Sequence, residues 1–309
     1  MTLVTGPSRA NEASPTTPER TVPGLTPALR GRIRGLFRIT SALSTELAAR
    51  LALRLFRTPL ARPIEPGEAR FLETAQSQTL PGPSGALHAY TWPGATAQSP
   101  TVLLVHGWIS HAARLISIVR ALHARGLRVV AFDAPAHGRS AGSLADLHAF
   151  RGAIDVVITA CGPVQGVLAH SFGAFATASW LADAQPGSVR AAVLIGMMRD
   201  LGYIYESFSQ VAALNPKVRS RFRELLRERY GAYPEEIATS ELARRIHLPV
   251  LLVHGALDEL VPTEHAEIVL QELRDGQLLI AADLGHGAPL RDPDTVDTIA
   301  DYLSAQLSQ

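Results

Sequence analysis

From residue 101 onward the chain alternates short apolar runs with helical stretches, and that alternation leaves few folds open. Residues 101–106, 128–133, 164–170, 189–195, 250–254 and 277–281 are each about one strand long and mostly apolar. Between them, 112–125, 144–161, 172–184, 264–274 and 294–307 carry apolar residues at the helical period, with Gly126 and Gly162 as stops. Strands without polar alternation are buried on both faces. Strands joined by helices of about 10–15 residues build a mostly parallel, doubly wound sheet. The expected class is therefore α/β. A length of 309 residues with 47% apolar residues allows one large domain and a sizeable core.

The stretch 197–247 interrupts the alternation. It has helical character and falls between two strands. Loops at the carboxyl ends of such strands form the binding crevice, so an insertion there is expected to act as a lid. Ahead of the alternating region, 71–77 and 86–92 read as an opening pair of strands. Residues 1–27 are rich in Thr, Pro and Ser and read as a loosely attached tail without a secretory-signal pattern. Residues 28–66 read as an amphipathic helical extension. Leu29, Ile33, Leu36, Leu43, Leu47, Leu51 and Leu55 recur at helical spacing with arginines between them, as one helix or two short ones ending at Pro59. The expected role of this stripe is packing on the main domain, 67–309. The alternative is weak contact of a basic amphipathic helix with an anionic membrane surface.

Composition excludes more than it suggests. A net charge of +1, from 29 basic and 28 acidic residues, gives no electrostatic case for nucleic acid. The single cysteine, Cys161, fits a reducing compartment, and the expected location is cytoplasmic. No apolar run reaches the roughly 18 residues of a membrane span. Clustered metal ligands, a P-loop and a dinucleotide fingerprint are all lacking, so no metal or cofactor is expected.

The chemistry centres on Ala169-His170-Ser171-Phe172-Gly173, between an apolar strand and a helix. A serine there can sit exposed on a tight turn, provided that small residues flank it. A serine hydroxyl is a weak nucleophile and needs a base, which in turn needs an orienting acid. His286, in Leu284-Gly285-His286-Gly287, and Asp258, in His254-Gly255-Ala256-Leu257-Asp258, both follow strands that end on the same sheet edge as Ser171. Asp200 is a second candidate acid. His106-Gly107-Trp108 follows the strand 101–106, and Asp133-Ala134-Pro135-Ala136-His137-Gly138-Arg139-Ser140 follows the next one.

The order and context of these motifs resemble the α/β-hydrolase family, with Ala169 standing where the nucleophile elbow usually has Gly. The resemblance implies a serine hydrolase with Ser171 as nucleophile, His286 as base and Asp258 as its acid. It also implies an oxyanion hole made by the backbone N–H groups of Trp108 and Phe172. The 133–140 stretch then becomes a structural turn beside the site. His106, Met197, Met198 and Tyr203 are the expected pocket and lid residues. The expected substrate is a small to medium carboxylic ester with an apolar acyl group, with thioester or amide as variants. A non-catalytic ligand binder on the same scaffold is the other class. Oligomeric state is left open.

Overall fold

The computed structural model describes residues 2–5, 25–60, 62–184 and 187–308. Its centre is a sheet that, among the described residues, has nine strands in the order β1-β9-β8-β7-β6-β4-β5-β3-β2. These are β1 (Thr2–Thr5), β2 (Gln76–Gly82), β3 (Gly85–Trp92), β4 (Thr101–Val105), β5 (Arg128–Phe132), β6 (Gly166–His170), β7 (Ala191–Ile195), β8 (Val250–Gly255) and β9 (Gly276–Ala281). Strands β4 to β9 are parallel, whereas β2 and β3 join antiparallel at one edge and β1 at the other.

The unbroken apolar strands are explained by burial on both faces. In β4, Leu103 and Val105 point into one core, and Val102 and Leu104 into the other. Helices α5 (Leu147–Cys161) and α6 (Phe172–Ala184) cover the first face; α4 (Ile116–Ala124) and α10 (Pro293–Leu307) cover the second. Alternate side chains leave opposite faces of a strand, so only a doubly covered sheet needs every position apolar.

The sequence expectations shift in two places. Phe71 and Leu72 do not open a strand. They end α3 (Pro66–Leu72), which starts with Pro at its first turn and a reciprocal Glu65–Glu68 cap. Both pack into the second core, where Phe71 stacks on Trp92 at 5.1 Å, and the strand begins later, at Gln76. At the start of the chain, Thr2–Thr5 pairs with β9 and so is strand, not loose tail. Most of the remaining tail lies outside the described residues.

The helical extension is two helices, α1 (Pro27–Leu43) and α2 (Thr45–Phe56). Ser44 separates them with extended backbone and caps α2 by accepting from Leu47 N at 3.2 Å. Residues 197–247 hold α7 (Leu201–Val211), α8 (Pro216–Tyr230) and α9 (Thr239–Ala243). A third core joins extension and insertion: Phe37, Ala48, Ala49 and Ala52 meet Tyr205, Phe222, Leu225 and Leu226. Small alanines on α2 let its backbone come close to α8.

The basic run on α8 is paired. Arg219 meets Glu206, Arg221 meets Glu46 and Glu228, Arg223 meets Glu235, and Arg227 meets Glu224. Buried Asp146 ties three segments together. It caps α5 and accepts from Arg57, just past α2, at 2.8 Å, and from Arg229 of α8 at 2.6 Å.

Candidate active site

Ser171 lies on the turn from β6 to α6 with φ +55. Left-handed backbone is costly for a residue with a Cβ, so its neighbours must hold it there. Ser171 N–H donates to Ile195 O of β7 at 2.8 Å. Gly173 is required next to it: a Cβ would stand 2.2 Å from the His106 carbonyl oxygen. A Cβ on Gly107 would stand 3.0 Å from Ser171 Cβ, so the loop after β4 runs directly against the turn.

Two other strand ends reach the same point. His286 Nε2 is 2.8 Å from Ser171 Oγ, and His286 Nδ1 is 2.7 Å from Asp258 Oδ2. A carboxylate only accepts, so Nδ1 carries the proton and leaves the Nε2 lone pair for the serine hydroxyl. The Asp258 side chain is fully buried. Burial opposes its charge, but hydrogen bonds from His254 and His286 outweigh burial and hold the carboxyl well below the usual carboxylate range. Its Oδ1 accepts from the backbone of Leu260 and Val261, each at 2.9 Å.

The two candidate oxyanion donors flank the serine. Phe172 begins α6, where the first N–H groups have no intrahelical acceptor. Trp108 follows Gly107 on the abutting loop, and its ring meets Phe172 edge-on at 5.3 Å.

Above the serine is a cavity of about 320 Å³. Trp108, Phe172, Met198 and Tyr203 line it near Ser171 and His286, with Phe208 and Tyr230 from the insertion. Leu25, just ahead of α1, and Ile33, Leu55 and Phe56 of the extension complete the wall. Polar atoms are few. Tyr203 turns its hydroxyl to Leu260 O, and Asp146 is already bound by its arginines.

Not every expected pocket residue is there. Met197 is packed in the first core and does not line the cavity. His106 is buried too. Its Nε2 accepts from Ala134 N at 2.9 Å and its Nδ1 donates to Gly107 O at 2.7 Å, so it fixes the loop. Asp200 is not beside His286. It caps α7 by accepting from Tyr203 N at 2.6 Å and pairs with Arg199. The 133–140 turn is structural: Asp133 accepts from Ala112 N, Arg139 N and Tyr90 OH. His137 supports the loop from below, accepting from Ile109 N at 3.3 Å.

Other residues at the site emerge only in three dimensions. His170 donates from Nε2 to the His286 carbonyl at 3.0 Å, bracing the loop that carries His286. His254 Nε2 lies 2.8 Å from Val261 O and 3.2 Å from Asp258 Oδ2. Gly196, with φ +61, passes so close that a Cβ would stand 3.0 Å from His286 Cε1. Glycine directly after an apolar strand was the available signal for this last position.

Among the described residues, no cluster of His, Cys, Asp or Glu could hold a metal ion, and no helix is long and apolar enough to cross a membrane.

Known proteins resemble the chain over the same region. A family model described as "Alpha/beta hydrolase family" matches residues 102–248, and one described as "TAP-like protein" matches 232–306. A non-heme haloperoxidase of Rhodococcus erythropolis is 27% identical, over 66% of this chain and 90% of its own. A monoacylglycerol lipase of Mycolicibacterium smegmatis is 23% identical, over 65% and 85%. The solved structure of Est1E from Butyrivibrio proteoclasticus, with ferulic acid bound, superposes with a TM-score of 0.60 at 15% identity, over 75% of this chain and all (100%) of that one. With the sheet order, the strained serine turn and these matches in agreement, the chain belongs to the α/β-hydrolase family.

Proposed function

We propose that this hydrolase cleaves carboxylic esters with an apolar acyl group of small to medium size, through a Ser171–His286–Asp258 triad and an acyl-enzyme. The observation that carries the reading is the hydrogen-bonded line from Asp258 through His286 to Ser171 Oγ, ending under an apolar cavity. His286 Nε2 takes the hydroxyl proton as Ser171 Oγ attacks the ester carbonyl. The charge on the carbonyl oxygen meets the N–H groups of Phe172 and Trp108. His286, now an imidazolium stabilised by Asp258, returns the proton to the departing alkoxide, and the alcohol leaves. A water, deprotonated by His286, attacks the acyl-serine. Collapse of that second adduct releases the acid and restores the serine. The name of the mycobacterial relative, a monoacylglycerol lipase, agrees with an ester of this kind.

The test is a panel of p-nitrophenyl esters of rising acyl length, with wild type and Ser171→Ala compared. Turnover in wild type and a loss of about four powers of ten or more in the variant are expected. Absence of wild-type turnover, together with no labelling of Ser171 by a fluorophosphonate, would overturn the reading in favour of a binder.

A further inference from the structure

We propose that the α1–α2 hairpin is a docking surface for anionic membrane lipid. Among the described residues, the large apolar side chains left exposed are Leu36, Ile39, Leu43 and Leu47, with only Leu257 and Ile268 elsewhere. Ile39 and Leu43 are 64% and 74% exposed, far beyond the rim of an ordinary packed helix. Leu36, Ile39 and Leu43 follow one another at helical spacing along one side of α1, and Leu47, in the first turn of α2, is exposed as well. Phe37, on another side of α1, packs in the third core, so the hairpin is already anchored without this stripe.

Charge selects the occupant. Helix α1 carries Arg30, Arg32, Arg34 and Arg38 and not one Asp or Glu. Arg34 turns inward to Val211 O, while Arg32 and Arg38 are exposed. Arg32 precedes Leu36 by one turn on the same side. Arginine stems lie along apolar surface and put the guanidinium at headgroup level, where acidic lipid attracts it. A second copy of the chain would bring arginine against arginine across a twofold axis, whereas an acidic lipid surface complements both the stripe and its charge.

The stripe also adjoins the cavity. Ile33, three residues before Leu36, lines the wall above Ser171 together with Leu25. On the ester-hydrolase reading above, docking brings lipid-borne esters to the cavity side of α1.

The test is co-sedimentation of the full chain with vesicles of phosphatidylcholine alone, or of equal parts phosphatidylcholine and phosphatidylglycerol, at low and high salt. Binding to the mixed vesicles that weakens with salt is expected. The triple variant Leu36→Ser, Ile39→Ser, Leu43→Ser should lose at least about tenfold in partitioning, with unchanged melting and unchanged turnover of a water-soluble short ester. No binding to the mixed vesicles, or equal binding by the variant, overturns the proposal. So does light scattering that finds a wild-type dimer which the variant converts to monomer. Vesicle binding by a chain that hydrolyses no ester would sink the enzymatic reading and leave the docking surface standing.

Discussion

At Gly196 a single hydrogen decides whether His286 can keep its place. Gly196→Ala puts a methyl 3.0 Å from His286 Cε1 on backbone at φ +61. The imidazole must shift, and reacting groups tolerate little misplacement. A fall in kcat of at least about tenfold is expected, with a smaller change in KM; equal kcat would show that the ring has room. At Asp258 the expected result is larger. Asp258→Asn keeps the shape but can offer His286 an N–H donor, favouring the wrong tautomer. Steady-state kinetics should show a loss near four powers of ten in kcat, with far-UV circular dichroism unchanged. That Ser171, Asp258 and His286 come together was legible because each stands in a short motif after an apolar strand. His170 and His254 were not: each acts through one contact made when distant loops converge, and neighbouring sequence encodes no such contact.

Among the elements, the parallel strands were legible because burial on both faces forces an apolar run that neither helix nor loop needs. The opening of the domain was harder. Phe71 and Leu72 suit a strand as well as a helix, and the Pro66 start with its glutamate cap decides for helix. The arginines of α8 look like an attractor for anions when counted along the chain. In the fold they meet acids on four other segments, including Glu46 of α2 and Asp146 at the start of α5. Asp146→Ala removes a helix cap and takes the buried carboxylate from Arg57 and Arg229, which are themselves partly exposed. A cost of about 3 kcal/mol is expected in urea unfolding; a cost below about 1 kcal/mol would mean that solvent replaces the pairing. Because Asp146 joins extension, insertion and core, limited proteolysis of the variant should cut first within residues 25–60 or 197–247.

For the whole molecule, acid is the vulnerable direction. Burial lowers His106 from the ordinary 6.5 to about 4. Burial and the charge of His106 lower His137 to about 3, and burial and the charge of His286 lower His170 to about 3. The unfolded chain therefore binds protons that the folded chain refuses. Stability from these groups is full above about pH 6.5 and is lost as pH falls toward their folded values. Each fully coupled histidine contributes a slope of roughly 1.4 kcal/mol per pH unit. Melting temperature should drop steeply between about pH 6 and pH 4; a flat profile there would mean that these rings protonate within the fold. The overall architecture was legible because it repeats one local rule along the chain. The pairing of Thr2–Thr5 with β9 was not, because four residues say nothing about a partner at the opposite end of the sequence. The cavity wall carries a different lesson. The proposed triad comes from the sheet's own loops, while the far wall comes from residues 25, 33, 55 and 56, outside the matched family region. In laboratory evolution that division separates selectivity from chemistry: a library confined to those positions can reshape what is held while Ser171, His286 and Asp258 stay where they are.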